Sequence, residues 1–272
     1  MARAKASFMG YRSAHFTREQ LLEDLSFGAG RDPGFELPDF DLPATDGARV
    51  TRRELAGRPL LLTFASITDP MAASAAPVLK RLHRRYGGEV TFLTVYVREA
   101  HPGDRIRQPS TAEWKLRHAR MLRARDGLPW RVAVDDLDGG FHRAMGGNSN
   151  AAYLLDPGGK VAFRSLWSND ERVLGDALRA MVEGRPGAPL GRERRGVVPM
   201  ARGLARLDEV VRAAGPAAIE DVRRETPALY AAAEVAWFFR ALTPLGKAVV
   251  LSGAALLAAA ALGGFRLARR GG

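Results

Sequence analysis

Two short apolar runs of this chain each end in residues whose side chains could carry out chemistry. The first run covers residues 60–65 and leads into a small polar loop, and the second covers residues 90–97 and leads into a carboxylate and an imidazole. A histidine beside a carboxylate can donate or accept a proton near neutral pH. The residues that follow the two runs are Ser66, Thr68, Asp69, Glu99 and His101.

The elements around these residues must bring them together for such chemistry. Both apolar runs are short and rich in β-branched or aromatic residues, which predicts buried strands. Between them, residues 71–86 carry apolar side chains at helical spacing, and Asp69 and Pro70 are typical of a helix start. A strand, a helix and a second strand form a βαβ unit, in which the loop after the first strand and the start of the helix are a natural site for chemistry.

The rest of the central region continues the alternation of strands and helices. The patterns predict helices at 109–124, 141–145 and 169–183, a strand at 130–134, and a hairpin whose strands cover 151–156 and 160–166. We therefore predict an α/β fold with a mixed central sheet flanked by helices, followed by an all-helical segment and a transmembrane helix near the carboxyl end.

Four stretches of this region resemble a known family. They are RPLLLTFASITDP at 58–70, FLTVYVREAHPGD at 92–104, RHARMLRARDGLPWRVAVDDLDG at 117–139 and NAAYLLDPGGKVAF at 150–163. Together they resemble the thioredoxin-like redoxin domains, most closely the iodothyronine-deiodinase-like family. The resemblance covers residues 34–183 and implies a thioredoxin-like fold.

The resemblance also implies roles for particular residues. In the family, the position that matches Asp69 holds selenocysteine or cysteine and is the nucleophile. The positions that match Glu99 and His101 belong to a proton-transfer network, and His118 lies where the family has a second histidine. The candidate catalytic residues are thus Asp69, Glu99, His101 and His118. The candidate pocket residues are Ser66, Thr68 and Asn150, the last of which stands where thioredoxin-like proteins usually have a cis-proline.

The chain contains no cysteine. A carboxylate at position 69 cannot pass through the oxidised states of a thiol, so thiol and selenol redox catalysis is excluded. Asp69 could cap the following helix, or it could work with Glu99, His101 and His118 in acid–base chemistry or at a metal site. The spacing matches no metal-binding signature, and we predict no metal and no cofactor.

The charge of the chain is strongly positive and unevenly placed. The formal net charge is +11, and residues 80–126 contain twelve Lys or Arg against five acidic residues. A basic surface of this kind attracts anionic lipid or an acidic partner, although a solvated helix face has the same composition. No nucleic-acid-binding motif accompanies it, and we do not expect a nucleic-acid partner.

The carboxyl-terminal part predicts contact with a membrane. Residues 248–265 carry no charge and would span roughly 27 Å as a helix, close to the thickness of a bilayer core. Residues 227–242 form an aromatic helix of the kind found at a membrane interface. No secretory signal precedes the domain, so we expect a single-pass tail anchor with the main domain in the cytoplasm. The alternative is a buried helix of a soluble domain.

These patterns divide the chain into five parts and leave three functions open. The parts are an amino-terminal arm (1–33), the redoxin-like domain (34–183), a linker (184–199), a helical juxtamembrane segment (200–243) and a transmembrane helix (246–266). The first function is a non-catalytic binding or structural subunit of a membrane complex. The second is an enzyme that uses Glu99 and His101 in acid–base chemistry in the former redox pocket, and the third is a peripheral nucleic-acid binder.

Overall fold

The computed structural model describes residues 11–24, 30–185 and 196–238. Within these ranges the chain forms nine helices and seven strands. The strands are β1 (Asp41–Pro43), β2 (Arg49–Thr51), β3 (Leu60–Ala65), β4 (Thr91–Tyr96), β5 (Arg131–Val134), β6 (Ala152–Leu155) and β7 (Val161–Ser165). The helices are α1 (Arg18–Asp24), α2 (Arg52–Leu55), α3 (Pro70–Tyr86), α4 (Ala112–Asp126), α5 (Gly140–Ala144), α6 (Glu171–Val182), α7 (Val197–Ala214), α8 (Pro216–Glu225) and α9 (Pro227–Phe238).

The main sheet is mixed and has the order β5-β4-β3-β6-β7. Strands β3, β4 and β5 are parallel, whereas β6 and β7 run antiparallel to their neighbours. The predicted βαβ unit is β3-α3-β4, and the predicted hairpin is β6-β7. The mixed α/β architecture predicted from the sequence is therefore confirmed.

The sheet separates two apolar cores because successive side chains of a strand point to opposite faces. Leu61 of β3 packs with α3, α4, α6, α7 and α8 on one face. Leu62 and Phe64 pack with β1, β2 and α5 on the other face. All six residues of β3 are buried, which explains why this strand reads as one continuous apolar run.

The helices at the carboxyl side share the core of the sheet. Leu207 and Val211 of α7, together with Ala218 and Val222 of α8, belong to the same buried cluster as Leu61. The helical segment therefore packs directly on the α/β domain, chiefly against α3.

Two predictions about amino-terminal and basic residues need correction. The sequence pattern predicts an arm outside the core, but Phe16 is 2% exposed and lies within the larger core. The apolar residues of the predicted helix at 109–124 (Trp114, Met121 and Leu122) predict its inward face, yet Met121 is 43% exposed, and the buried face of α4 is formed by Lys115, His118, Ala119 and Leu122. The reason is that α4 packs a polar face towards the site described below.

No helix within the described ranges is long and apolar enough to cross a membrane. The predicted span at 248–265 lies outside the described residues. The predicted interfacial helix corresponds to α9 as far as Phe238, and the remainder, to residue 242, also lies outside them.

Candidate functional site

The site lies where β3 and β4 end side by side. These strands are parallel neighbours, with Ala65 opposite Tyr96, so the loops that follow them leave the same edge of the sheet. The hydroxyl of Ser66 accepts a hydrogen bond from Ala100 N at 3.3 Å and ties one loop to the other. The edge predicted from the sequence is thus the place where the candidate residues meet.

Glu99 is the centre of a buried hydrogen-bond network. It is fully buried, and its Oε2 accepts hydrogen bonds from Thr68 N at 3.3 Å and Thr68 Oγ1 at 2.6 Å. Its Oε1 accepts a hydrogen bond from the hydroxyl of Tyr96 and lies 2.9 Å from His118 Nδ1. Both oxygens of the carboxylate are therefore satisfied, as a buried charged group requires.

Tyr96 was not singled out by the sequence analysis, although it completes this network. Its hydroxyl accepts a hydrogen bond from Ile67 N at 3.2 Å and donates one to Glu99. Burial, reinforced by the negative charge of Glu99, raises the pKa of Tyr96 well above its usual value. The phenol consequently stays protonated and acts as a donor to the carboxylate.

His101 joins the network through its backbone. Its N–H donates to Thr68 Oγ1 at 3.2 Å. Its ring Nδ1 is buried and has no hydrogen-bond partner among the described residues. Burial lowers the pKa of His101 to about 4, so the imidazole is neutral near pH 7.

Asp69 is the amino cap of α3, as one of the two sequence-based alternatives predicted. Its Oδ1 accepts a hydrogen bond from Met71 N at 2.8 Å. The residue is only 3% exposed, and its Oδ2 is buried without a partner in the part of the chain that the structure describes. Burial, and secondarily the charge of Asp24, raises the pKa of Asp69 to about 7. The hydrogen bond that Asp69 accepts thus stabilises the start of α3 and does not connect Asp69 to Glu99.

Asn150, the last of the predicted pocket residues, is buried just before β6. Its N–H donates to Asn148 Oδ1 at 2.9 Å, and its carbonyl accepts a hydrogen bond from Ser168 N at 2.8 Å. These bonds fix the chain where the hairpin enters the sheet.

A segment of the amino-terminal region covers the site. The rings of Phe16 and His101 are stacked, with centroids 4.4 Å apart and an angle of 11° between their planes. Asp24, at the end of α1, forms an ion pair with Arg98 at 2.8 Å. Segment 11–24 therefore supplies an aromatic ring and a carboxylate to the side chains that follow β4.

The basic residues of 80–126 do not all lie on the surface, because Arg98 and Lys115 are buried. Arg98 is 5% exposed and Lys115 is 2% exposed. The ammonium of Lys115 donates to the carbonyl of Asp136 at 2.6 Å, and burial lowers the pKa of Lys115 to about 8. The charge count missed this because burial of a cation depends on partners that are distant in sequence.

His142 and Asp135 are two further polar residues that the structure buries. His142 is fully buried, and its Nδ1 lies 3.0 Å from the hydroxyl of Tyr11. Asp135 accepts hydrogen bonds from Phe141 N and His142 N, and it thereby holds the start of α5. Asp135 thus caps the start of α5, and His142 has a partner that is distant in the sequence.

A metal site was one of the alternatives for the carboxylates and histidines. Among the residues that the structure describes, no group of three His, Asp or Glu side chains is arranged to hold a metal ion.

The sequence of this region is similar to known proteins. Residues 38–163 match the family model for iodothyronine deiodinase. Over 149 residues the chain is 30% identical to thyroxine 5-deiodinase of Ovis aries, covering 50% of each chain. Over 103 residues it is 30% identical to type II iodothyronine deiodinase of Homo sapiens, covering 33% of this chain and 38% of that protein. The chain thus spans about half the length of the curated relatives, or less.

Similar solved structures include an uncharacterised conserved protein from Geobacillus kaustophilus. The identity is 18% and the TM-score 0.48, and the match covers 60% of this chain and 87% of that one. A putative thiol:disulfide interchange protein DsbE from Chlorobium tepidum is 20% identical with a TM-score of 0.39, covering 49% and 84% of the two chains. Residues 38–163 are therefore similar in sequence to iodothyronine deiodinases, in agreement with the resemblance identified from the sequence.

Proposed function

We propose that this deiodinase-like domain is a non-catalytic binding subunit of a membrane complex. The observation that carries the proposal is the state of Asp69, which caps α3, is almost fully buried and lies at the position that the resemblance assigns to the nucleophile. A carboxylate cannot form the sulfenate, disulfide or selenenyl iodide states of a thiol or selenol. The chain has no cysteine elsewhere to replace it.

The polar network around Glu99 suits a structural role in such a protein. Its carboxylate accepts three hydrogen bonds and lies 2.9 Å from His118 Nδ1, so that both of its oxygens already have partners within the protein. A fully satisfied buried network rigidifies the two loops that it joins. In this proposal the former redox pocket is retained because it holds the ends of β3 and β4 together.

The membrane part of the proposal rests on the sequence. The uncharged run at 248–265 would anchor the chain by a single span, with the main domain in the cytoplasm. The aromatic residues of 227–242 would lie at the interface, and the exposed basic residues of 80–126 would face anionic lipid or an acidic partner.

Extraction of native membranes with a mild detergent, followed by sizing, tests this proposal. We expect the chain to co-migrate in constant ratio with at least one other protein. Replacement of Leu256 and Leu257 by Arg should release the chain from carbonate-washed membranes, because charges at the centre of a span oppose insertion. The matched control is Leu267→Arg, outside the span. A chain that runs alone, or that stays in the membrane with both charges present, would overturn the proposal.

A second function is favoured by one specific observation. Asp69 has a pKa of about 7 and an unpartnered oxygen, and it directly follows Thr68, which bonds to Glu99. A carboxyl group of this kind could exchange protons near neutral pH in thiol-independent chemistry. The test is activity on small peroxides and halogenated aromatics in the wild type, Glu99→Gln and His101→Ala. Turnover by the wild type that both variants lose would favour the enzyme.

A further inference from the structure

Segment 11–24 covers the site with few buried apolar groups of its own. Phe16 is 2% exposed and Gln20 is 9% exposed, and no other residue of the segment is buried. Leu21 packs against the larger core, and the polar contacts include the Asp24–Arg98 ion pair and the Tyr11–His142 hydrogen bond. Segments held by little apolar surface open locally at a free-energy cost well below that of global unfolding. We therefore expect the segment to open by withdrawing Phe16 from the core while the sheet stays folded.

Helix α8 holds this cover in place through one buried carboxylate. Asp221 Oδ2 accepts a hydrogen bond from Phe16 N at 3.3 Å and lies 3.0 Å from His15 Nδ1. The other oxygen of Asp221 accepts a hydrogen bond from Arg224 Nη2 at 2.9 Å. The Asp221 side chain is only 4% exposed, whereas the side chains of His15 and Arg224 are 64% and 57% exposed. The bond from Phe16 N is therefore the one that is buried and shielded from water.

The junction between α7 and α8 also contacts the loop that carries His101. The carbonyl of Ala214 accepts hydrogen bonds from Arg105 N at 2.9 Å and Ile106 N at 3.2 Å. Asp104 Oδ1 accepts one from Ala217 N at 2.6 Å, in the first turn of α8. The junction thus contacts the loop that carries His101, and helix α8 contacts the segment that carries Phe16.

We propose that segment 11–24 is an autoinhibitory cover, held closed over His101 and Asp69 by Asp221 of α8. Any event that moves α8, such as binding of a partner to the carboxyl-terminal helices, withdraws the acceptor of Phe16 N and frees the segment. The site then becomes accessible to solvent and to ligands. This inference adds a means of regulation to the site of the proposed function and does not require the site to be catalytic.

The absence of cysteine allows a direct test with a single introduced thiol. In the full chain, Asp69→Cys places one thiol beneath the cover, and its rate of reaction with a disulfide reagent such as dithionitrobenzoate reports access. We expect slow labelling in this background, and at least tenfold faster labelling when Phe16→Ala or Asp221→Asn is added. The matched controls are Leu22→Ala on the exposed side of α1 and Glu220→Gln beside Asp221. Both should leave the rate within about twofold.

The dependence of the labelling rate on urea concentration distinguishes opening of the cover from global unfolding. Opening of a short segment exposes little surface, so labelling should be nearly independent of urea below the unfolding transition. Asp221→Asn removes no core volume and keeps the test valid even if Phe16→Ala unfolds the chain. Equal rates in all variants, or rates that rise with urea as steeply as global unfolding, would overturn the inference. Neither result bears on co-migration in membranes, so the two proposals fail independently.

Discussion

The imidazole of His101 is stacked against the ring of Phe16, 4.4 Å from centroid to centroid. One ring belongs to the loop after β4 and the other to the segment that precedes α1. The contact therefore closes the edge of the sheet at which Thr68, Glu99 and Asp69 lie. A set of buried polar residues therefore lies here next to an aromatic ring that the amino-terminal segment supplies.

Replacement of Glu99 by Gln should destabilise the fold. The amide would put an N–H₂ donor against groups that already donate to the carboxylate, namely Thr68 and Tyr96. We expect the free energy of unfolding to fall by about 2–4 kcal/mol. Urea unfolding measures this, and Glu113→Gln on the exposed side of α4 is the matched control, with a change within about 0.5 kcal/mol. An unchanged midpoint in Glu99→Gln would contradict the structural role of the network.

Replacement of Asp69 by Asn should remove a pH dependence of stability. The folded-state pKa of about 7 lies above the ordinary value of 3.8 for aspartic acid, so the folded chain binds this proton more tightly than the unfolded chain. The contribution of Asp69 to stability is therefore full below about pH 4 and declines as the pH rises to about 7. The total is at most about 4 kcal/mol at 1.36 kcal/mol per pKa unit.

The difference between the two unfolding curves isolates this group. Because Asn also caps helices well, Asp69→Asn should keep α3 intact and become the more stable protein near pH 8. Measurement of urea unfolding from pH 4 to 8 for both proteins provides the comparison. Two curves that remain parallel over this range would show that Asp69 is not the buried carboxyl described here.

Replacement of Gly203 by Ala tests the attachment of α7 to α3. A Cβ at position 203 would overlap the sulfur of Met71, so we expect a loss of about 1–3 kcal/mol. The double variant Gly203→Ala with Met71→Ala should show a coupling above about 1 kcal/mol that offsets part of this loss. The control is Gly175→Ala in α6, where the added Cβ meets Leu82 at an ordinary 3.6 Å.

The control should stabilise the protein by up to about 1 kcal/mol, because Ala is the better helix former. Thermal unfolding of the wild type, the three single variants Gly203→Ala, Met71→Ala and Gly175→Ala, and the double variant provides the values. Equal stabilisation by Gly203→Ala and Gly175→Ala would mean that α7 does not pack on α3 in solution.

The sheet edge and its loops could be predicted from the sequence because their signals are local. The apolar run at 60–65 predicted β3, and Asp69 followed by Pro70 predicted the start of α3. The meeting of Glu99 with Thr68 follows from two parallel strands that end side by side. The stacked Phe16 could not be predicted, since nothing in the sequence around it indicates contact with a residue as distant as His101.

Arg98 shows a second limit of the sequence. A charged side chain in a basic stretch indicates a surface, and only the partner Asp24, far away in the chain, makes its burial possible. Lys115 was counted as part of the basic surface for the same reason. Whether a charge is buried is decided by tertiary contacts, which composition does not contain.

Release of iodide tests most directly whether the site is non-catalytic. The purified full-length chain would be incubated with thyroxine and an excess of dithiothreitol, and free iodide would be measured over time. With a carboxylate at position 69, where the resemblance implies the nucleophile, and with Phe16 stacked on His101, the wild-type chain should release no more iodide than a protein-free blank. Release that increases in proportion to the amount of the wild-type chain, and that disappears in Asp69→Asn, would contradict the account.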